Sequence, residues 1–336
     1  MAVSLLIAVL SIWTIVTQSK TFSFAELVED IRNCNIIWLI LALACSLGFI
    51  FCEGAALCTI IKELFPQQFK HREMLYAGTD IYFSAITPSA TGGQPATAYF
   101  LIKDGIPASG ATVILMVNLI MYTFSLMLTG FVCVFFNASI FVNLSFLAKL
   151  MIIIGFALMT LVTVFFALLL WNETLLDTIT KGIYNLLVKL HIIKHGDKIK
   201  GKYEKTVNEY RECADVLYGK KKMIGKIFLW NLAQRLCHIF VTVFCYLATE
   251  GTFKYLWDVC VVQGLTDVGS NCIPIPGAIG AADYLLIEGL DLIPNVEKAA
   301  NLELLSRGLA FYICVVLCFI ITAVGYLMIR RREKKC

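Results

Sequence analysis

ITPSATGGQPATAYF (Ile86–Phe100) and NCIPIPGAIGAADYLLI (Asn271–Ile287) decide the fold of this chain. Each holds a Pro, an Ala two residues on and a Gly two further: Pro88-x-Ala90-x-Gly92 and Pro276-x-Ala278-x-Gly280. Each has an acid roughly two helical turns upstream, Asp80 and Asp267. Both stretches lie in hydrophobic sequence that otherwise reads as membrane helix. Proline removes a backbone donor and glycine loosens a helix, so the chain is expected to unwind at both places. Unwound backbone at membrane depth survives only where protein or a wet cavity satisfies it. Paired interruptions in the two halves of a membrane protein point to a transport site.

The surrounding composition agrees. Of 336 residues, 59% are hydrophobic and 15% charged, against roughly 25% charged in soluble domains. A spanning helix needs about 20 mostly apolar residues. Full spans are expected at about 2–18, 36–61, 110–136, 147–171, 224–249 and 304–329. The interrupted segments, about 77–101 and 257–292, each read as two half-length helices meeting at a break. The fold class is an all-α integral membrane protein with six full spans and two re-entrant broken-helix hairpins. The N-terminus has no basic n-region and no A-x-A site, so residues 2–18 read as a retained helix and not a cleaved signal.

Charge sets the expected topology. Eleven Lys/Arg fall between Lys181 and Lys222 and five more between Arg330 and Lys335. Positive loops stay in the cytoplasm. This places 173–222, the tail and the 62–76 loop (Lys62, Lys70, Arg72) inside, with both termini cytoplasmic. The 137–146 loop has no Lys or Arg and is expected outside. The first hairpin then dips in from the cytoplasm and the second from outside. Residues 1–136 and 147–329 become half-repeats of inverted topology within one domain, 1–336. The basic clusters are a topology signal, and no nucleic-acid partner is implied. Within 173–222, apolar residues recur at helical spacing (Leu175/Leu176, Ile179, Ile183, Leu186/Leu187, Leu190, Ile193, then Tyr203, Val207, Tyr210, Ala214, Leu217). Two readings fit: amphipathic helices at the lipid surface, or a helical hairpin packed on the protein's own cytoplasmic face.

Polar residues inside spans carry the functional signal. Asn231, Gln234, Arg235 and His238 fall at i, i+3, i+4 and i+7, one helix face. A central arginine costs at least ~2.5 kcal/mol on insertion scales, so it must face a partner or water. Its planar fork suits a phosphate; the alternative is an internal ion pair with Glu53, Asp80 or Asp267. Asn118 and Tyr122 share a face of the 110–136 span and read first as interhelical hydrogen-bonding groups. His191 and His195 have i, i+4 spacing but no third ligand nearby, so no metal site is assigned. Most of the 13 Cys lie in apolar runs and no C-x-x-C occurs, which supports neither a zinc site nor a disulfide framework. There is no G-x-x-x-x-G-K-[ST] loop, which argues against ATP-driven transport by this chain alone, and no cofactor is implied. The longest non-spanning segment, about 50 residues, is short for an acyltransferase domain.

The stretch T-P-S-A-T-G-G-Q-P-A (Thr87–Ala96), followed by Tyr99 and K-D-G-I-P (Lys103–Pro107), resembles the signature of the lysylphosphatidylglycerol synthase transmembrane family. That family includes the flippase-like part of the bacterial multiple peptide resistance factor. The second stretch is similar to its P-x-P-G-G-x-G-x-x-E, here Pro274, Pro276, Gly277, Ala278, Gly280 and Asp283, with Ala for the second Gly and Asp for Glu. The resemblance implies a multi-pass protein of the bacterial cell membrane that moves an aminoacylated or otherwise modified anionic phospholipid between leaflets. It also implies a headgroup site at the breaks. Thr87, Gly92, Gly93 and Gln94 would come from the first motif, Gly277, Gly280 and Asp283 from the second. Arg235 would bind phosphate, Asp80, Asp267 and Asp283 would read an amine or couple to protons, and Glu53 would belong to the same site. Alternatives are a membrane component of lysylphosphatidylglycerol synthesis, or a scaffold for a separate synthase or glycosyltransferase; a homo-oligomer is compatible with each. In the full-length factor a cytosolic domain transfers lysine. This sequence closes at RRREKKC just after its last span, so lysyl transfer by the chain alone is not expected.

Overall fold

The structure is a computed structural model and describes residues 34–172, 174–179, 181–182, 197–217, 219–249, 251–294, 296 and 299–333. The span expected at 2–18 and the stripe at 183–193 lie outside the described residues. Among the described residues all regular structure is helical. The elements are α1 (Ile36–Leu64), α2 (Glu73–Ile86), α3 (Gly93–Lys103), α4 (Ala108–Phe136), α5 (Ala138–Asn143) and α6 (Phe146–Trp171). They continue with α7 (Asp197–Leu217), α8 (Lys221–Ala248), α9 (Leu256–Ser270), α10 (Ala281–Asp291), α11 (Ala299–Arg307) and α12 (Cys314–Glu333). A π-helical turn, Gly308–Ile313, joins α11 to α12. Five helices are long and apolar enough to cross a membrane: α1, α4, α6, α8 and the continuous Ala299–Arg331. This is an all-α membrane protein. Capping is local: Asn35 Oδ1 accepts from Ile37 N–H (3.1 Å) to start α1, and Ser145 Oγ from Ala148 N–H (3.2 Å) to start α6.

Each interrupted segment is a hairpin of two half-length helices. The feet of the first are tied at one point. Buried Asp104, just past α3, accepts from Tyr76 Oη (2.6 Å) in the first turn of α2 and from Arg72 (2.5 Å) and Lys70 (3.2 Å) just before it. The chain therefore leaves where it came in. In the second hairpin, Val262 of α9 packs against Gly289 of α10. Asn137, which ends α4, donates to Asp258 at the start of α9 (2.5 Å). Since Asp104 leads directly into α4, the two pairs of feet sit at opposite ends of α4. That helix has 29 residues and is about 43 Å long.

The hairpins reach inward and their tips touch: the 3₁₀ turns Pro88–Ala90 and Pro276–Ala278 pack on each other. The two tips have the same backbone. Thr87 and Ile275 are extended, Pro88 and Pro276 open the turn, and the next two residues are left-handed: Ser89 (φ 51°) and Ala90 (φ 54°), Gly277 (φ 61°) and Ala278 (φ 48°). Three of those four carry a Cβ, a strained choice that the mutual packing of the tips holds in place.

Two apolar clusters lie at the ends of the bundle. One joins α1, α2, α3, α4 and α8 at the first hairpin's feet; the other joins α8, α9, α10 and α11 at the second's. Tyr210, Ala214 and Leu217 of α7 are buried in the first cluster, and Ser109 of α4 donates to Glu209 (3.0 Å). This half of the insertion packs on the protein's own face, as one of the two readings expected. Exposed Phe, Leu, Ile and Val along α1, α6 and α12 form the outward surface.

Candidate functional site

Between the clusters, where the hairpin tips meet α1, α4 and α8, is a cavity of about 750 Å³. Its wall is largely apolar, but a set of polar side chains reaches it at a depth where the helices' outer faces are apolar. Asn231, Gln234 and Arg235 of α8 are buried, and His238 is half-buried; all but Asn231 reach the wall. The one-face reading of this span is borne out.

Glu53 anchors one side. It is 3% exposed and accepts from Asn118 Nδ2 of α4 (2.7 Å) and Gln234 Nε2 of α8 (2.9 Å). Asn231 Nδ2 donates in turn to Asn118 Oδ1 (3.1 Å) and Ile227 O (3.1 Å). Three spans are thus pinned together by one carboxylate, with a polar network that satisfies it.

Arg235 is not bound into that network. Its guanidinium stacks between Tyr122 (4.6 Å to the ring centroid) and Phe49 (5.1 Å), and its Nε is buried with no hydrogen-bond partner. Among the described residues it forms no ion pair with Glu53, Asp80 or Asp267. Aromatic faces stabilise the cation without using its donors. The result is a fixed positive charge with a free donor fork beside a cavity, a geometry that recognises a planar or tetrahedral oxyanion.

The acids are treated differently. Asp267 of α9 accepts from Gln263 Nε2 (2.7 Å) and pairs with His238 Nδ1 (3.0 Å), and Thr242 Oγ1 donates on to Gln263 Oε1 (2.6 Å). Asp80, its counterpart on α2, has a buried Oδ1 with no partner. Arg307 of α11 clamps the second tip. Its Nη2 donates to Gly277 O (2.8 Å) and its Nε lies 2.7 Å from Asp283 Oδ1.

Of the expected site residues, Glu53, Asp80, Gln94, Arg235, Asp267 and Gly277 line the cavity. Thr87, Gly92, Gly93, Gly280 and Asp283 stand behind it, building the tips. Thr87 Oγ1 accepts from Gly92 N–H (2.8 Å), and Asp283 Oδ2 accepts from Gly280 N–H (2.8 Å), capping α10. Gly280 is left-handed (φ 83°). Gly92 is not (φ −83°); there a Cβ would stand 2.6 Å from Thr87 Cγ2. Asn118 and Tyr122 make the interhelical bonds expected of them, Tyr122 Oη to Asn271 Oδ1 (2.9 Å), and also line the wall. Arg307 lies near the start of the 304–329 span, and the argument from depth that applies to Arg235 extends to it. His191 and His195 lie outside the described residues.

The chain matches the family described as "Lysylphosphatidylglycerol synthase TM region" over residues 1–318. No curated protein and no solved structure matches it.

Proposed function

The chain belongs to the lysylphosphatidylglycerol synthase transmembrane family, and on that premise we propose that it moves an anionic, modified phospholipid between leaflets. The headgroup passes through the cavity between the hairpin tips while the acyl chains stay in the bilayer. The observation that carries this reading is Arg235, buried at membrane depth with a free donor fork on a cavity wall and no ion pair among the described residues. An arginine at that depth must face water or a partner, and an anion entering the cavity would be the partner its free donors suit. The matched tips, with feet at opposite ends of α4, support residues 1–136 and 147–329 as inverted half-repeats, so that rocking one against the other would expose the cavity to either side. We place the end bearing Lys70, Arg72 and α7 in the bacterial cytoplasm, on the positive charge of those loops.

The test is leaflet movement of fluorescent phosphatidylglycerol and lysylphosphatidylglycerol in vesicles holding the purified protein. Protein-dependent loss of the protected inner-leaflet signal supports the reading. Movement no faster than in empty vesicles, with folded protein present, refutes it and leaves the role of a membrane component of lipid synthesis, tested by co-purification with a synthase.

A further inference from the structure

The His238–Asp267 pair sets an imidazole against a buried carboxylate on the cavity wall. Asp267 is 8% exposed and both its oxygens are engaged, one by Gln263 Nε2, the other by His238 Nδ1. A carboxylate so placed fixes the neutral ring with its proton on Nδ1. That leaves Nε2 as the acceptor; among the described residues no hydrogen bond to it forms, and His238 lines the cavity. The ring also rests on Phe49 (5.7 Å between centroids), the same ring that carries Arg235.

His238 is one helical turn beyond Arg235 on the same face of α8, so an anion held by Arg235 lies close to the imidazole. We propose that His238–Asp267 is a proton-binding site linked to headgroup binding: one proton from solution adds to Nε2 as the anionic headgroup arrives, and leaves with it. The charged and titratable groups that share the cavity wall with the pair are Arg235 from α8 itself, Glu53 from α1, Tyr122 from α4, Asp80 from α2 and Arg307 from α11. Arg235 and Arg307 oppose a positive charge on the imidazole, and Asp267, which holds its Nδ1–H, favours it. In the empty cavity Arg235 is unpaired and repels a charged imidazole. An anion on Arg235 cancels that repulsion and adds attraction. Linkage is reciprocal: what the anion does for the proton, the proton does for the anion. The inference rests on the cavity being the headgroup site, and its test does not need lipid movement.

The experiment measures binding of dioctanoyl phosphatidylglycerol to the full chain in detergent at pH 5.5 and pH 8, with a pH dye in weak buffer reporting protons taken up at pH 7. Wild type is expected to bind about tenfold tighter at the lower pH, inside the roughly 5- to 150-fold range of ordinary coupling, and to take up protons on binding. In His238→Gln both effects should vanish while binding persists. Asp267→Asn, which keeps the shape, should shrink the pH effect, and covers the case in which His238→Gln fails to fold. Glycerophosphoglycerol, the deacylated diester whose charge does not change between the two pH values, separates a free headgroup from a lipid; equal coupling with it would show that the oxyanion alone is read, and still supports the linkage. Affinity independent of pH in folded wild type overturns the proposal, as does coupling that follows sodium and not protons. If the linkage holds but vesicle transport fails, it is the transport reading that falls.

Discussion

Gly93→Ala tests the hairpin architecture at its tightest point. A Cβ built on Gly93 stands 2.1 Å from Ser84 Oγ, 2.5 Å from Asp80 Oδ1 and 2.6 Å from the Asp80 carbonyl oxygen. The serine can turn away. The carbonyl cannot, because it belongs to the backbone of α2. An ordinary close carbon–oxygen contact is about 3.3 Å, so α2 and α3 must part by several tenths of an ångström. Overpacking of this kind costs about 1–3 kcal/mol. Replacing Gly by Ala in a helix interior returns at most ~1 kcal/mol, and less at Gly93, the first residue of α3, which leaves a net loss of about 1–2 kcal/mol. Gly225→Ala is the control: it lies on the exposed side of α8, and its added Cβ would touch nothing within 4 Å. That variant should be stabilised by about 0.4–1 kcal/mol. The two single-methyl changes then differ by about 2 kcal/mol, roughly thirtyfold in the folded-to-unfolded ratio. Unfolding in mixed micelles with increasing dodecyl sulfate, followed by tryptophan fluorescence, gives both values. A Gly93→Ala protein as stable as wild type, beside a stabilised Gly225→Ala, would refute the close approach of the half-helices.

Gly280 and Gly92 should fail for different reasons. At Gly280 any side chain is strained by the left-handed backbone (φ 83°) despite open space, so Ala and the β-branched Val both impair lipid movement, Val more. At Gly92 the obstacle is Thr87, so Thr87→Ser should partly rescue Gly92→Ala, as co-assayed initial rates would show. At the feet of the first hairpin, Tyr76→Phe removes one donor from Asp104 and should cost about 1–2 kcal/mol, whereas Asp104→Ala leaves Arg72 without its acid and should cost about 3 kcal/mol or more; both are read as unfolding midpoints. A Cys placed at Lys200 should resist an impermeant thiol reagent in intact cells and react after lysis; labelling from outside would reverse the assigned orientation.

The spans were legible because burial in lipid imposes one rule, some 20 apolar residues, and α1, α4, α6 and α8 begin and end within three residues of the expected bounds. The hairpins were legible because Pro and Gly have few uses inside an apolar stretch. Where the backbone breaks was harder. Glycine drew attention to Gly92 and Gly93, yet the left-handed residues of the first tip are Ser89 and Ala90. There glycine serves packing, and the strain falls on residues whose conformation is fixed by contact with the other tip. Such tertiary contacts leave no local pattern. Arg235 stood out by its depth, but that its partners would be Phe49 and Tyr122, not a carboxylate, depends on how α1 and α4 rotate against α8. Arg307 was hidden by its place near the start of a span, where a cation ordinarily reaches the headgroups; the π-helical turn that follows it belongs to the link into α12.

The central claim is that Arg235 holds the headgroup phosphate during transfer. The measurement is the initial rate of leaflet movement of labelled phosphatidylglycerol in vesicles with matched amounts of folded wild type, Arg235→Lys and Arg235→Gln. Lysine keeps the charge but loses the planar donor fork, so the rate should fall in Arg235→Lys and further in Arg235→Gln. Neither Glu53→Gln nor Asp267→Asn, added to Arg235→Gln, should restore it. A double mutant that moves lipid at the wild-type rate would show that Arg235 serves only to balance a buried acid, and would contradict the account.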